Sequence, residues 1–184
     1  MPQPHVIRTD QQASGPGARV LISGAGPIGL VTAQAARAFG AAEVIVSEPD
    51  QARRAGAGRF GATSALDPAG GLPADLEADA FIECSGAPAA VAGGIAAVRP
   101  AGTVVLVGMG ADQIALPLPL IQQRELTLTG TFRYAGTWPA AIHLAATGQA
   151  DLDGLVSARF DLDQTTGALT AGATPGFLKA MVTP

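Results

Sequence analysis

The sequence predicts an α/β fold, a doubly wound parallel sheet with a short C-terminal return segment. Three observations predict it. Apolar runs of strand length alternate with alanine-rich stretches of helical length from residue 18 to about 150. Of the 184 residues 48% are hydrophobic and only 14% are charged, which suits a sheet covered on both faces. The first apolar run, Val20-Leu-Ile22, enters Gly24-x-Gly26-x-x-Gly29 and passes at once into a helical pattern.

The elements follow in order. Strand Val20–Ser23 leads to helix Pro27–Phe39, with Gly40 placed to end it. Strand Val44–Ser47 leads to a helix from about Pro49, a proline suited to a first helical position, to Phe60. A short strand, Ser64–Leu66, stops at Asp67-Pro68. Ala80–Glu83 is the fourth strand and Ala87–Val98 the next helix, stopped by Pro100. Thr103–Val107 is a β-branched fifth strand, and Leu126–Thr129 alternates leucine with threonine as an edge strand does. Trp138–Thr147 reads as a helix ending at Gly148. Beyond about Asp151 the rhythm weakens. Leu155-Val156 and Leu178–Val182 read as strands around a short helix near Asp163–Ala171, with too little apolar surface for a separate core. This segment of the chain is expected to lie against something else.

Strand, glycines, helix, strand and acid in that order form a dinucleotide-binding (Rossmann) fingerprint. Gly24 permits the tight turn, Gly26 lets backbone approach a pyrophosphate, and Gly29 lets helix and strand pack closely. The phosphates then meet the helix N-terminus, where unpaired N–H groups and the positive dipole end favour an anion. Glu48, ending the second strand, is placed to accept both ribose hydroxyls and to repel a 2′-phosphate, so NAD is expected over NADP. The net charge of −4 and a single lysine, Lys179, argue against nucleic acid. No run approaches the ~20 apolar residues of a membrane span. One cysteine and no apolar leader in Met1–Asp10 suit a cytoplasmic protein.

The blocks Gly24-Ala-Gly-Pro-Ile-Gly-Leu30, Ile82-Glu-Cys-Ser-Gly86, Val104-Val-Leu-Val-Gly-Met-Gly110, Gly130-Thr-Phe-Arg-Tyr134 and Thr137-Trp-Pro139 resemble the zinc-dependent medium-chain dehydrogenases, in particular their sorbitol (polyol) dehydrogenase branch. The resemblance runs from about Val6 to Val182. It implies that Pro27 and Ile28 join the glycines at the cofactor, with Ile28 on the pyrophosphate or adenosine side and Arg53 flanking the adenine. It implies that Val107, Gly108, Met109, Thr131, Phe132 and Arg133 line the nicotinamide, and that Arg133 and Tyr134 face a polyol hydroxyl. Members of this family carry their catalytic zinc on a preceding GroES-like half through Cys, His and an acid. His5, Cys84 and His143 show no ligand spacing here, so neither a metal ligand nor a catalytic residue is expected in this chain.

The expected organisation is a remnant linker or helix end over residues 1–17, an NAD-binding domain over 18–150, and over 151–184 the C-terminal segment of a catalytic domain otherwise missing. The expected function is that of the cofactor domain of an NAD-dependent polyol or secondary-alcohol dehydrogenase, moving hydride between a CH–OH group and NAD. The alternative is a stand-alone NAD(H)-binding module, or a remnant without catalysis. Some residues keep two readings. Arg53 either flanks adenine or is solvated. Ile114–Ile121, beside the edge strand Leu126–Thr129, makes either a homo-oligomer interface or an internal loop contact. Cys84 reads as a buried, inert thiol and Trp138 as a packing residue at a helix start.

Overall fold

The computed structural model describes residues 16–132 and 136–184. His5, Arg133 and Tyr134 lie outside them. Six parallel strands stand in the order β3-β2-β1-β4-β5-β6: β1 (Arg19–Ser23), β2 (Glu43–Ser47), β3 (Ser64–Leu66), β4 (Ala78–Glu83), β5 (Val98–Leu106) and β6 (Thr127–Gly130). The order reverses between β1 and β4, so the connections leaving these neighbours diverge and open a crevice at their carboxyl ends. The helices are α1 (Pro27–Ala38), α2 (Gln51–Gly56), α3 (Pro88–Ala96), α4 (Leu118–Gln123), α5 (Trp138–Ala146) and α6 (Thr165–Thr170). Strands β7 (Val156–Asp161) and β8 (Lys179–Thr183) form a separate parallel pair.

The apolar run of β1 divides by the two-residue period of a strand. Val20 and Ile22 enter one core with Leu30, Ala33 and Ala36 of α1, Val44 and Val46 of β2, and Phe60. Leu21 enters the other, with Ile45, Phe81 and α3's Val91 and Ile95. Small residues let the helices lie close. A Cβ on Gly94 of α3 would overlap the Phe81 ring.

The order of elements matches the sequence expectation, and the differences have local causes. The Asp50 side chain accepts the Arg53 N–H at 2.8 Å and caps α2, so that helix starts at Gln51 and not Pro49. With Gly56 and Gly58 in its path it tightens into a 3-10 turn over Ala57–Phe60. Helix α3 stops at Ala96 because Val98 already pairs with Ala78 of β4. The next partners are Ala80 and Thr103, so Arg99–Gly102 is an excursion on β5 that accommodates Pro100, which has no N–H to give the ladder. Within it Ala101 is left-handed at φ 57°, and its N–H donates to the Arg124 carbonyl. The proline-interleaved stretch before β6 contains α4, whose Leu120 and Ile121, with Ile114 ahead of it, pack on the second core. Leu116 and Leu118 stay exposed.

The C-terminal segment is fastened to the sheet domain. The buried amide of Gln34 on α1 clamps the backbone of Asp151, accepting its N–H and donating to its carbonyl. Leu155 is buried in the first core and Leu178 packs against it. The boundary near residue 150 therefore crosses a continuous hydrophobic contact.

At the opposite end of the sheet, Asp79 joins three strands by accepting the Arg19 N–H of β1 at 2.7 Å and the Arg99 guanidinium of β5 at 2.6 Å. Burial raises the Asp79 pKa, but the Arg19 and Arg99 hydrogen bonds and charges outweigh it and the net shift is downward. A lowered folded pKa contributes stability above the ordinary carboxylate value and loses it as pH falls through the folded one. Asp79→Asn should therefore cost about 1 kcal/mol at pH 7. Urea melts between pH 7 and pH 3 should show the gap to wild type closing as the pH drops below the ordinary carboxylate range.

Candidate functional site: a dinucleotide cleft

A cleft of about 680 Å³ opens at the carboxyl ends of β1, β2 and β4, within the size range of small-molecule sites. Its walls include Gly24 and Gly26 of the turn, Glu48 and Arg53 after β2, the Pro68–Leu72 stretch after β3, and Ser85 after β4. Small residues at the start of α3, among them Ala87, Ala90 and Gly93, form the remaining side.

The three glycines answer to different demands. Gly24 sits at φ 94°, where a side chain is strained, and its N–H donates to the Ser47 carbonyl at 2.8 Å. A Cβ on Gly29 would overlap the Gly24 carbonyl oxygen, so helix and turn meet backbone to backbone. Gly26 is unlike both. Its φ is −75° and a Cβ there would meet nothing within 4 Å. Close packing or a positive φ accounts for Gly24 and Gly29, and neither accounts for Gly26.

Gly26 is also the N-cap of α1, and no side chain caps that end. The first-turn N–H groups of a helix have no intrahelical acceptors. No acid in that turn offsets the positive end of the dipole. The adjoining carboxylate is placed by its own bonds. Glu48 is buried; its Oε2 accepts the Ala25 N–H at 2.6 Å and its Oε1 accepts the Asp50 N–H at 2.9 Å. Each oxygen keeps a further lone pair for a hydroxyl donor.

Arg53 reaches across the cleft wall and donates from Nη2 to the Phe177 carbonyl of the return segment at 3.0 Å. Its Nε is buried with no hydrogen-bond partner. Asp50, which caps the same helix, has a lowered pKa, chiefly because the Arg53 N–H donates to it. A dinucleotide fits this set: an open glycine face, an uncapped helix end, a carboxylate with spare lone pairs and an orphaned guanidinium nitrogen.

The remaining expected residues divide. Pro27 opens α1, and Ile28 beside it is largely exposed. Val107, Gly108, Met109, Thr131 and Phe132 follow β5 and β6 along the same sheet edge but outside the walls of the cleft, with Met109 and Phe132 strongly exposed. Cys84 is half-buried at the cleft with its Sγ 3.7 Å from the Thr32 hydroxyl. His143 is exposed on α5. A metal centre does not fit: among the described residues no three of His, Cys, Asp and Glu gather as a ligand set. No helix of the described residues is long and apolar enough to cross a membrane.

Sequence reasoning gave Glu83 no role, although it lies in a quoted block. The structure buries it beneath the cleft-lining Ser23 and Ser85, its Oε1 accepting from Ser23, Ser85 and Gly86. A signal was present, since an acid closing a fully apolar strand repeats the pattern of Glu48.

Fold and cleft together define a doubly wound domain with a small-molecule cleft at its switch point. The zinc-binding dehydrogenase family model matches residues 27–147, and the chain belongs to that family. Sorbitol dehydrogenase of Rattus norvegicus is 37% identical over 176 residues, which are 90% of this chain and 49% of the rat protein. A Sinorhizobium meliloti protein described as a zinc-binding dehydrogenase, solved bound to NADP, superposes with a TM-score of 0.88 at 29% identity. The match covers 99% of this chain and 58% of that one. The 2R,3R-butanediol dehydrogenase of Bacillus subtilis gives a TM-score of 0.84 at 26% identity, covering 97% of this chain and 55% of that one. The chain thus spans about half the length of the relatives it matches.

The separate duties of the glycines can be measured by urea melts. Gly29→Ala should cost about 1–3 kcal/mol, the usual range for overpacking. Gly26→Ala should stay within about 1 kcal/mol of wild type, the loss of a glycine cap being its only expected cost.

Proposed function

We propose that this chain binds NAD in the cleft as the cofactor domain of a polyol or secondary-alcohol dehydrogenase. The observation that carries the reading is Gly26. It has an ordinary φ and empty space before its Cα, at the uncapped start of a helix, where only a ligand penalises a side chain. Bound nicotinamide supplies a hydride acceptor, and the part of this chain is to hold it in place.

Glu48 supports NAD over NADP. A 2′-phosphate would approach a buried carboxylate, and of the neighbouring cations Arg54 is held by acceptors of the chain while Arg53 keeps one unmet donor. Arg53 is bonded to the Phe177 carbonyl, and Arg54 pairs with Asp67 at 3.1 Å while donating to the Glu48 and Pro49 carbonyls. The NADP bound to the S. meliloti relative belongs to that protein. The likeness to sorbitol dehydrogenase supports a polyol as substrate, with Arg133 and Tyr134 as the pair facing its hydroxyls. Among the described residues zinc finds no ligand set. The place of β6 at the edge of the sheet supports a homo-oligomer joined through it, and the single cysteine suits a cytoplasmic setting.

Calorimetry with NADH tests the cofactor. Gly26→Ala and Glu48→Ala should each weaken binding at least tenfold, about 1.4 kcal/mol, without loss of fold. Glu48→Ala should also narrow the preference for NADH over NADPH. Equal affinity of wild type for both would overturn the reading of Glu48. For the substrate, the purified chain is mixed with the front half of a sorbitol dehydrogenase and NAD-linked oxidation of sorbitol is followed. A rate above either part alone is expected, and no such rate sinks the polyol assignment.

A further inference from the structure

Glu83 is the largest polar side chain fully buried among the described residues, and cofactor binding as argued above makes no use of it. It ends β4, the strand beside β1 across the switch point. Its Oε1 collects four donors: the Ser23 hydroxyl at 3.1 Å, the Ser85 N–H at 2.7 Å, the Ser85 hydroxyl at 2.6 Å and the Gly86 N–H at 2.8 Å. Its backbone carbonyl accepts the Val107 and Gly108 N–H groups, each at 2.9 Å. One residue thereby ties the last residue of β1 to the loops that follow β4 and β5.

Those loops touch through bare backbone. A Cβ on Gly108 would overlap the Gly86 nitrogen and lie 2.5 Å from Glu83 Oε2, and one on Gly110 would overlap the Gly86 carbonyl. Gly86 is itself left-handed at φ 71°. On the other side, the Ser85 side chain and Cys84 backbone would lie 3.4–3.5 Å from a Cβ on Gly24. The height of the Cys84–Gly86 loop above the sheet is thus set from below by a carboxylate and from either side by glycine backbones.

With Glu48 at the end of β2 taking the adenosine ribose, the two halves of a doubly wound sheet place the other nucleotide over β4 and β5. The Cys84–Gly86 and Gly108–Gly110 loops are the ends of those strands. We infer that Glu83 is a positioning residue for the nicotinamide end of the cofactor, holding at a fixed depth the paired Cys84–Gly86 and Gly108–Gly110 loops on which the ring rests. This rests on the nicotinamide-dinucleotide reading above. The side chain acts through the loops and does not itself meet the cofactor. Its reach matters as well as its charge, because an aspartate, one methylene shorter, keeps the carboxylate but draws it down from the Ser85 and Gly86 N–H groups.

The test compares NADH with ADP-ribose, which shares the adenosine and pyrophosphate but lacks nicotinamide. Affinities for both are measured by calorimetry on the full chain for wild type, Glu83→Asp, Glu83→Gln and Ser23→Ala. Ser23→Ala removes one of the four donors at a buried position and keeps the test alive should the Glu83 variants fail to fold. The expected result is a loss of tenfold or more in NADH affinity for Glu83→Asp and Glu83→Gln. Ser23→Ala should lose about threefold, and ADP-ribose binding should change less than twofold throughout. Parallel loss of both ligands would mean a general structural role and overturn the inference, as would unchanged NADH binding in Glu83→Asp. If wild type binds ADP-ribose and NADH equally, the nicotinamide end has no site to position and the inference fails alone. If wild type binds neither, the cofactor reading fails with it.

Discussion

Everything at the cleft depends on how closely α1 can approach the end of β1. The approach is backbone on backbone, Gly29 against the carbonyl of Gly24, with no space for even one methyl group. Forcing an extra carbon into a packed interior costs about 1–3 kcal/mol, and here both neighbours are main chain, which cannot rotate away. Because α1 lies this low, its N-terminus emerges at the level of the sheet edge, beside Glu48 and Ser85. The packing constraint and the anion-binding geometry therefore have one cause. A helix held a side chain's thickness higher would aim its free N–H groups over the crevice.

Two acids flank that point, and they solve the burial of a carboxylate in different ways. A buried ionisable group is tolerated when hydrogen bonds replace its water. Glu83 gathers two backbone N–H groups and two hydroxyls on Oε1, an arrangement that ties neighbouring loops together. Glu48 accepts one backbone N–H on each oxygen and keeps capacity on both. The acid with four donors on one oxygen sits on the β4 side of β1, and the one with a single donor on each oxygen on the β2 side. Rigidity and receptivity are thus divided between the two halves of the crevice.

Much of this was legible in the sequence because its signals are local. The glycine spacing, the apolar run before it and the acid after the next strand lie within about thirty residues of chain, and each depends on its neighbours. That the strands run parallel followed from the alternation of strands and helices. What escaped were features decided across distance. Glu83 reads as an ordinary strand-ending acid until Ser23, sixty residues earlier, is placed beneath it. Arg99–Gly102 reads as a helix stop, because nothing local says that Val98 will pair with Ala78 before the chain detours around Pro100. The Asp50 cap was missed for a plainer reason: Pro49 offered a rival start, and a side-chain bond to the Arg53 N–H outweighed it.

The return segment is where local signals fail most and long-range contacts matter most. Its apolar residues are too few for a core, so its position must come from the domain it touches. Three contacts supply it: the Gln34 clamp on Asp151, Leu155 in the first core, and the Arg53 bond to Phe177. The first two are buried and fix the start of the segment against α1. The third joins its far end to a side chain that also lines the cleft. Gly176, at φ 75°, turns the chain there, where its Cβ would come within 3.0 Å of that of Ala52 on the same helix. Arg53 therefore cannot shift toward a ligand without releasing Phe177, and Phe177 cannot leave without freeing a guanidinium beside Glu48. The orphaned Nε of Arg53 shows that this bond does not satisfy the side chain fully. Held at both ends in this way, the segment takes its position from the sheet domain, which is why its own sequence signals that position so weakly.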